Sequence, residues 1–156
     1  MKHGQNKTGE RFMLVSQILK SKADEGVITV PPTTTIAQAA QELSQRRIGT
    51  LIISRDGKLA DGIVSERDIV RQLGRAGAAC LSDAVTSIMT AKLVTCSREM
   101  RADAVLGQMT EGRFRHMPVL QDGILVGLIT LGDVVKARLS ELAMEKDALE
   151  GMIRGH

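Results

Sequence analysis

The chain carries one pattern of residues twice. Thr29, Arg47 and Asp56-Gly57 recur as Thr95, Arg113 and Asp122-Gly123, each 66 positions further on. The run Gly62-Ile63-Val64-Ser65-Glu66-Arg67-Asp68 recurs as Gly127-Leu128-Ile129-Thr130-Leu131-Gly132-Asp133, 65 positions on, so the first copy holds one extra residue between its turn and that run. A duplication constrains the fold more than any single motif, because both copies must suit the same local structure. Two copies are too few for a solenoid, and each, at under about 60 residues, is small for a domain of its own. The expectation is a pair of copies that share a core.

Each copy reads as β-α-β-β-α. Val27 to Val30 forms a strand halted by Pro31-Pro32. Thr35 with Gln38 makes a capping box that opens a helix striped by Ile36, Ala39, Ala40 and Leu43. Gly49 to Ile53 and Leu59 to Val64 are the arms of a hairpin around Asp56-Gly57. Ser65 starts a second helix with Ile69, Val70 and Leu73 on one face, ending near Gly74 and Gly77. Ser82 to Met89 connects the copies as a helix. The second copy follows with a strand at Val94-Thr95-Cys96, a helix at Ala102 to Met109, a hairpin of Met117 to Leu120 with Leu125 to Ile129, and a last helix from Asp133. Phe12 to Leu19 reads as a short helix or strand before the first copy. The last helix runs past the repeat through Leu139, Leu142, Met144 and Leu149, apolar residues at spacings suited to a partner helix or a dimer seam. The division expected is a flexible segment 1–13, repeats at 14–80 and 81–139, and a helical extension 140–156.

Composition narrows the function. The chain has no Trp or Tyr and only two Phe, which removes the aromatic platforms on which single-stranded nucleic acids are stacked. The formal charge of +3 is modest and no basic run reaches five residues, which also argues against nucleic acid. Cys80 and Cys96 stand in no metal-ligand spacing and read as reduced thiols. No signal peptide and no membrane-spanning stretch is evident, so a cytoplasmic protein is expected. The three histidines, His3, His116 and His156, support no catalytic set, and neither a nucleophile elbow nor a phosphate-binding glycine loop is present.

Two constellations carry chemistry. Ser65-Glu66-Arg67-Asp68 and Thr130-Leu131-Gly132-Asp133 share the form hydroxyl-x-x-Asp where a strand turns into a helix. A capping box alone accounts for that form. It also sets an acid that can accept bonds from vicinal ribose hydroxyls beside a helix start that favours anions. Arg113-Phe114-Arg115-His116-Met117-Pro118 brings two arginines to the entry of a strand, read either as a phosphate clamp or as a solvated basic edge. Arg46-Arg47 is the matching pair in the first copy, followed by Ile48-Gly49-Thr50-Leu51 with neither His nor Pro.

These runs, with Arg115-His116-Met117-Pro118-Val119 and a lead-in to the second copy at Val85 to Thr90 that holds Ile88-Met89-Thr90, resemble a tandem pair of CBS domains, a Bateman module, over roughly Leu14 to Leu139. The resemblance implies an α+β fold in which two β-α-β-β-α repeats pack sheet to sheet about a pseudo-twofold axis. It implies two clefts for an adenosine-containing ligand: AMP, ADP, ATP, NAD(H) or S-adenosylmethionine. The favoured cleft would take Ser65, Arg67, Asp68, Ile28 and Thr29 with Arg113, Arg115, His116, Met117 and Pro118. The other would take Thr130, Gly132, Asp133, Val94 and Thr95 with Arg47, Gly49 and Thr50. Arg67 faces no charged counterpart at Gly132, which ranks the Asp68 cleft first for phosphate. The protein is therefore expected to be a non-enzymatic adenine-nucleotide sensor, with no catalytic cofactor or metal, acting on an unidentified protein or through its own homodimer. A structural or interaction protein with vestigial clefts is the alternative, and a nucleotide-processing enzyme a more remote one.

Overall fold

Both copies fold by the same local rules in a computed structural model that describes residues 12–22 and 27–153. The elements are α1 (Val15–Ser21), β1 (Thr29–Val30), α2 (Ile36–Arg46), β2 (Thr50–Ile53), β3 (Gly62–Ser65), α3 (Glu66–Ala76), α4 (Ala102–Gly112), β4 (His116–Gln121), β5 (Ile124–Thr130) and α5 (Leu131–Ile153). Two 3-10 turns, Ala78–Ser82 and Val85–Ser87, lie between α3 and α4. The mixed α/β, two-repeat architecture read from the sequence is therefore present.

The first repeat builds a three-stranded sheet in the order β1-β2-β3. β1 runs parallel to β2, with Val30 opposite Ile53, and β2 runs antiparallel to β3, with Thr50 opposite Ser65. Thr35 and Gln38 close the capping box at α2, so Ile36, Ala39 and Leu43 turn inward. They join Val30, Leu51, Ile53, Val64, Ile69, Cys80 and Val85 in one apolar core. In the second repeat β4 and β5 pair, and Cys96 bridges Val119 in parallel. That bridge is the Val30–Ile53 pair moved on by 66 residues.

Four local expectations are corrected. The arm predicted from Leu59 starts only at Gly62, because the Asp56 carboxylate accepts bonds from the Lys58 and Leu59 N–H groups and Asp61 ties back to Arg55, which holds 54–61 as a loop. The connecting helix expected at Ser82 to Met89 does not form; the 3-10 turns Ala78–Ser82 and Val85–Ser87 stand there and just before it, with Ser82 and Ser87 donating to the carbonyls three residues back. Val94 to Cys96 contributes one bridge and no strand, and Val94 is 45% exposed. Val70 is 67% exposed, so the buried face of α3 rests on Ile69.

The compact units cut across the successive limits 14–80 and 81–139. One unit is Gly26–Val94 with Gln121–Val126; the other comprises the described parts of Met1–Glu25, Thr95–Leu120 and Gly127–His156. In the first-repeat unit, Val85 N–H donates to Thr34 O (2.7 Å) and Ile36 N–H to Asp83 O (2.9 Å). In the second-repeat unit, Val15 N–H donates to Met100 O (2.8 Å) and Ala102 N–H to Met13 O (2.8 Å). These bonds correspond one for one, with 13–15 in the place of 83–85. The close approaches correspond too: Met89 lies against Gly62, and Leu19 against Gly127, where a side chain on either glycine would collide. The segment before each repeat thus completes the other repeat. Val85 to Thr90, expected to lead into the second copy, packs on the first.

The polar segment expected at 1–13 lies outside the described residues up to position 11. Phe12 and Met13 are fixed. The Arg101 guanidinium covers the Phe12 ring at 3.4 Å, and Met13 N–H donates to Glu141 Oε2. Glu141, only 5% exposed, also accepts from Arg138. α5 continues without a break through 139–140 and leaves Leu139, Leu142, Leu149, Met152 and Ile153 more than half exposed.

Candidate functional site

The two helix starts read from the sequence form with matching geometry, each within its own unit. Ser65 is the N-cap of α3: its hydroxyl accepts from Asp68 N–H (3.3 Å), and Asp68 Oδ2 accepts from Ser65 N–H (2.8 Å) and the Ser65 hydroxyl (3.0 Å). In the second repeat Thr130 Oγ1 accepts from Asp133 N–H (3.1 Å), and Asp133 Oδ2 accepts from Thr130 N–H (2.9 Å). The first helical N–H groups are also held alike. Glu66 N–H donates to Gly49 O (2.9 Å) and Leu131 N–H to Arg115 O (2.8 Å).

This bonding fixes what each site offers. The capping box is real in both copies and takes Oδ2. The second carboxylate oxygen takes no part in the cap. On Asp68 it meets only Arg71 Nη1 at a long 3.4 Å, and on Asp133 it takes no bond from a described residue. A carboxylate held by its cap, on a side chain about one-fifth exposed, is suited to accept from a diol. Of the helix-start N–H groups, those of Arg67 and Gly132 are left unused by the cap.

The second site holds a group that the sequence reading missed. Lys22 Nζ lies 2.9 Å from Asp133 Oδ2 and donates to Leu128 O (2.9 Å). Partial burial raises the pKa of Asp133, but bonds from Lys22 and Thr130 outweigh it and hold the carboxyl below its ordinary value. The signal was present in the repeat: at the 70-residue offset that relates Leu19 to Met89, Lys22 corresponds to Lys92. Only the exchange of lead-in segments reveals which helix start it serves.

The remaining candidates fall as follows. Arg67 is exposed on α3, and Gly132 is exposed at the second helix start. Arg47 and Arg113 are the helix C-caps in the left-handed conformation, φ 54° and 57°, so Arg113 does not enter the strand as expected. β4 begins at His116, after both arginines, with His116 half-buried and Met117 and Pro118 buried. Arg47, Arg67, Arg113 and Arg115 form no ion pair with any described residue. Ile28 and Thr29 are half-buried, and Ile28 O is taken by Ile52 N–H. Thr95 is half-buried before the Cys96 bridge. The Thr50 hydroxyl is buried and finds no partner among the described residues. Arg47 and Gly49 line a hollow of about 490 Å³ with Leu43, Ile48, Glu66 and Ile69, whose lining includes neither Ser65 nor Asp68. Ser65, Arg67 and Asp68 belong to one unit, and Arg113 to Pro118 to the other. Among the described residues no cluster of three His, Cys, Asp or Glu could hold a metal, and no helix is long and apolar enough to cross a membrane.

The CBS domain family model matches the chain twice, at residues 15–75 and 85–140. The mitochondrial CBS domain-containing protein CBSX3 of Arabidopsis thaliana is 31% identical over 95% of this chain and 75% of its own length. The chain spans about a quarter of the length of five further Arabidopsis CBS domain-containing relatives. Among solved structures, the CBS-domain containing protein ATU1752 from Agrobacterium tumefaciens aligns with a TM-score of 0.76 at 39% identity, covering 81% of this chain and 99% of that one. The CBS domain protein PAE2072 from Pyrobaculum aerophilum, complexed with AMP, gives 0.71 at 26%, covering 85% and 99%. The CBS domain pair of MJ0100, in complex with 5′-methylthioadenosine and S-adenosyl-L-methionine, gives 0.71 at 26%, covering 83% and 98%.

Proposed function

The chain belongs to the CBS-domain family, and on that basis we propose that it is a regulatory module that binds an adenosine-containing small molecule at the helix starts of Asp68 and Asp133. The observation that carries this reading is the duplicated cap. Each Asp is held by its own N-cap through Oδ2 and keeps its other oxygen out of the cap, where it can accept from a ribose diol. Relatives of the same fold bind AMP, or 5′-methylthioadenosine and S-adenosyl-L-methionine. Arg67 beside Asp68, without an ion-pair partner among the described residues, favours a phosphate-bearing ligand such as AMP, ATP or NAD(H). The role is regulatory and not enzymatic. It is exerted on another protein or through a homodimer, for which the exposed apolar face of α5 is the surface. The reading puts the protein in the cytoplasm, although the Arabidopsis relative is mitochondrial by name.

A thermal-shift titration with AMP, ATP, NADH and adenosine tests the reading. A ligand at a hundred times its Kd adds about 2.7 kcal/mol of stability, a shift that Asp68→Asn together with Asp133→Asn should remove. Asn keeps an acceptor for the cap and loses the charge. A second reading, an interaction protein with vestigial clefts, draws on the Lys22–Asp133 pair and the α5 face. The absence of any shift with every adenine ligand would favour it over the first.

A further inference from the structure

We infer that Lys22 is a specificity-determining residue of the Asp133 site, whose ammonium makes that helix start select a phosphate-bearing adenosine over an uncharged one. The inference rests on the nucleotide-binding reading of Asp133 and deepens it.

The repeats differ where charge would meet a phosphate. The first has Arg67 at the second helical position; the second has Gly132, which brings no charge. That contrast alone ranks the Asp133 site as the weaker phosphate site. The geometry adds a cation that this contrast leaves out. The second repeat draws its cation from the exchanged N-terminal segment, and Lys22 Nζ sits 2.9 Å from Asp133 Oδ2. The first repeat has no such arrangement. Lys92, its counterpart, is exposed and forms no ion pair with a described residue, and the Ser65 hydroxyl takes the place on Asp68 Oδ2.

Donor counting shows what Lys22 has left. An ammonium carries three N–H donors. Asp133 Oδ2 and Leu128 O take two. The third belongs to a side chain still 33% exposed, beside the helix start at Gly132. Lys22 bonds Oδ2 and leaves Asp133 Oδ1 without a bond from a described residue, so a diol can bind there without displacing it. The 5′-hydroxyl of an uncharged adenosine gains only the weaker bond of a neutral acceptor from the third donor. A 5′-phosphate gains a charge-assisted bond there, and the flexible lysine stem allows the ammonium to follow it.

The test is calorimetric titration of the full chain carrying Asp68→Asn, so that the Asp133 site alone is read, with AMP and with adenosine as probes. Lys22→Met should weaken AMP about tenfold and adenosine less than about twofold. Lys22→Arg should keep AMP within about threefold of its affinity with Lys22. Unfolding curves without ligand establish that each variant is folded. Equal weakening of both probes by Lys22→Met would reduce Lys22 to a structural prop and overturn the inference. So would unchanged AMP binding. If the Asp68→Asn protein binds neither probe while the unmodified chain binds AMP, the nucleotide reading of Asp133 itself fails, and the role of Lys22 with it.

Discussion

Replacing Gly62 by Ala tests whether the segment between the repeats closes the first repeat. The added methyl would overlap Met89 Sδ and lie 3.0 Å from Met89 Cγ and 3.2 Å from Thr90 O. The sulfur can yield, since Met89 is half-buried and flexible. The carbonyl cannot yield freely, because Ile63 and Thr90 exchange backbone bonds of 2.9 and 2.8 Å. Overpacking of this kind costs about 1–3 kcal/mol, and the fixed carbonyl sets the effect near the middle of that range. Met89→Ala removes only the sulfur and side-chain part of the clash. The double variant should therefore lose less than the sum of the singles, with a coupling of about 1 kcal/mol. Urea unfolding of the four proteins, followed by circular dichroism, measures the cycle. A Gly62→Ala protein as stable as the original, or strict additivity with Met89→Ala, would refute the packing of 84–90 on β3. Gly127→Ala provides the counterpart. It meets only Leu19 side-chain carbons, at 2.7 and 2.9 Å, so Leu19→Ala should relieve nearly all of its clash.

Further outcomes follow from named groups. Asp133 has a folded pKa below its ordinary 3.8, so its pairing stabilises the fold fully above that value and the contribution is lost as pH falls through the lowered one. Unfolding free energies of the original chain and Lys22→Met, from urea titration, should thus differ at neutral pH by about 0.5–1 kcal/mol and converge in strong acid; a constant gap would contradict the pairing. Burial pushes the Cys96 thiol up to about 11, and Cys80 is buried too. A thiol-reactive dye at pH 8 should label neither cysteine in the folded protein and both in urea. Glu141→Ala deprives both Met13 N–H and Arg138 of their acceptor and should cost about 2 kcal/mol in urea unfolding; a neutral result would show that the buried carboxylate does not hold the N-terminal segment.

What was legible in the sequence is what depends on near neighbours. The Thr35–Gln38 and Ser65–Asp68 boxes span three residues and form as read. Asp122-Gly123 makes a two-residue hairpin turn with φ of 52° and 78°, both left-handed, as Asp-Gly pairs favour. The extra residue in the first copy becomes the wider loop at 54–61, a consequence the pattern did not disclose because it depends on which N–H groups Asp56 captures. The exchange of lead-in segments was not legible at all. Short apolar runs such as Val15–Leu19 and Val85–Met89 show that a segment is buried but not against which core. Lys22 was missed for the same reason, since its partner is identified by the packing of α1 and not by any spacing. The helix starts were thus found by motif, and a comparison of Arg67 with Gly132 alone left Lys22 out.

The most direct test of the account is calorimetric titration of AMP into the full chain and into the Asp68→Asn/Asp133→Asn protein. The account predicts saturable binding by the first and its loss in the second, with both folded by circular dichroism. Equal AMP affinity in the two proteins would contradict it, because the duplicated carboxylates could not then be what holds the ligand.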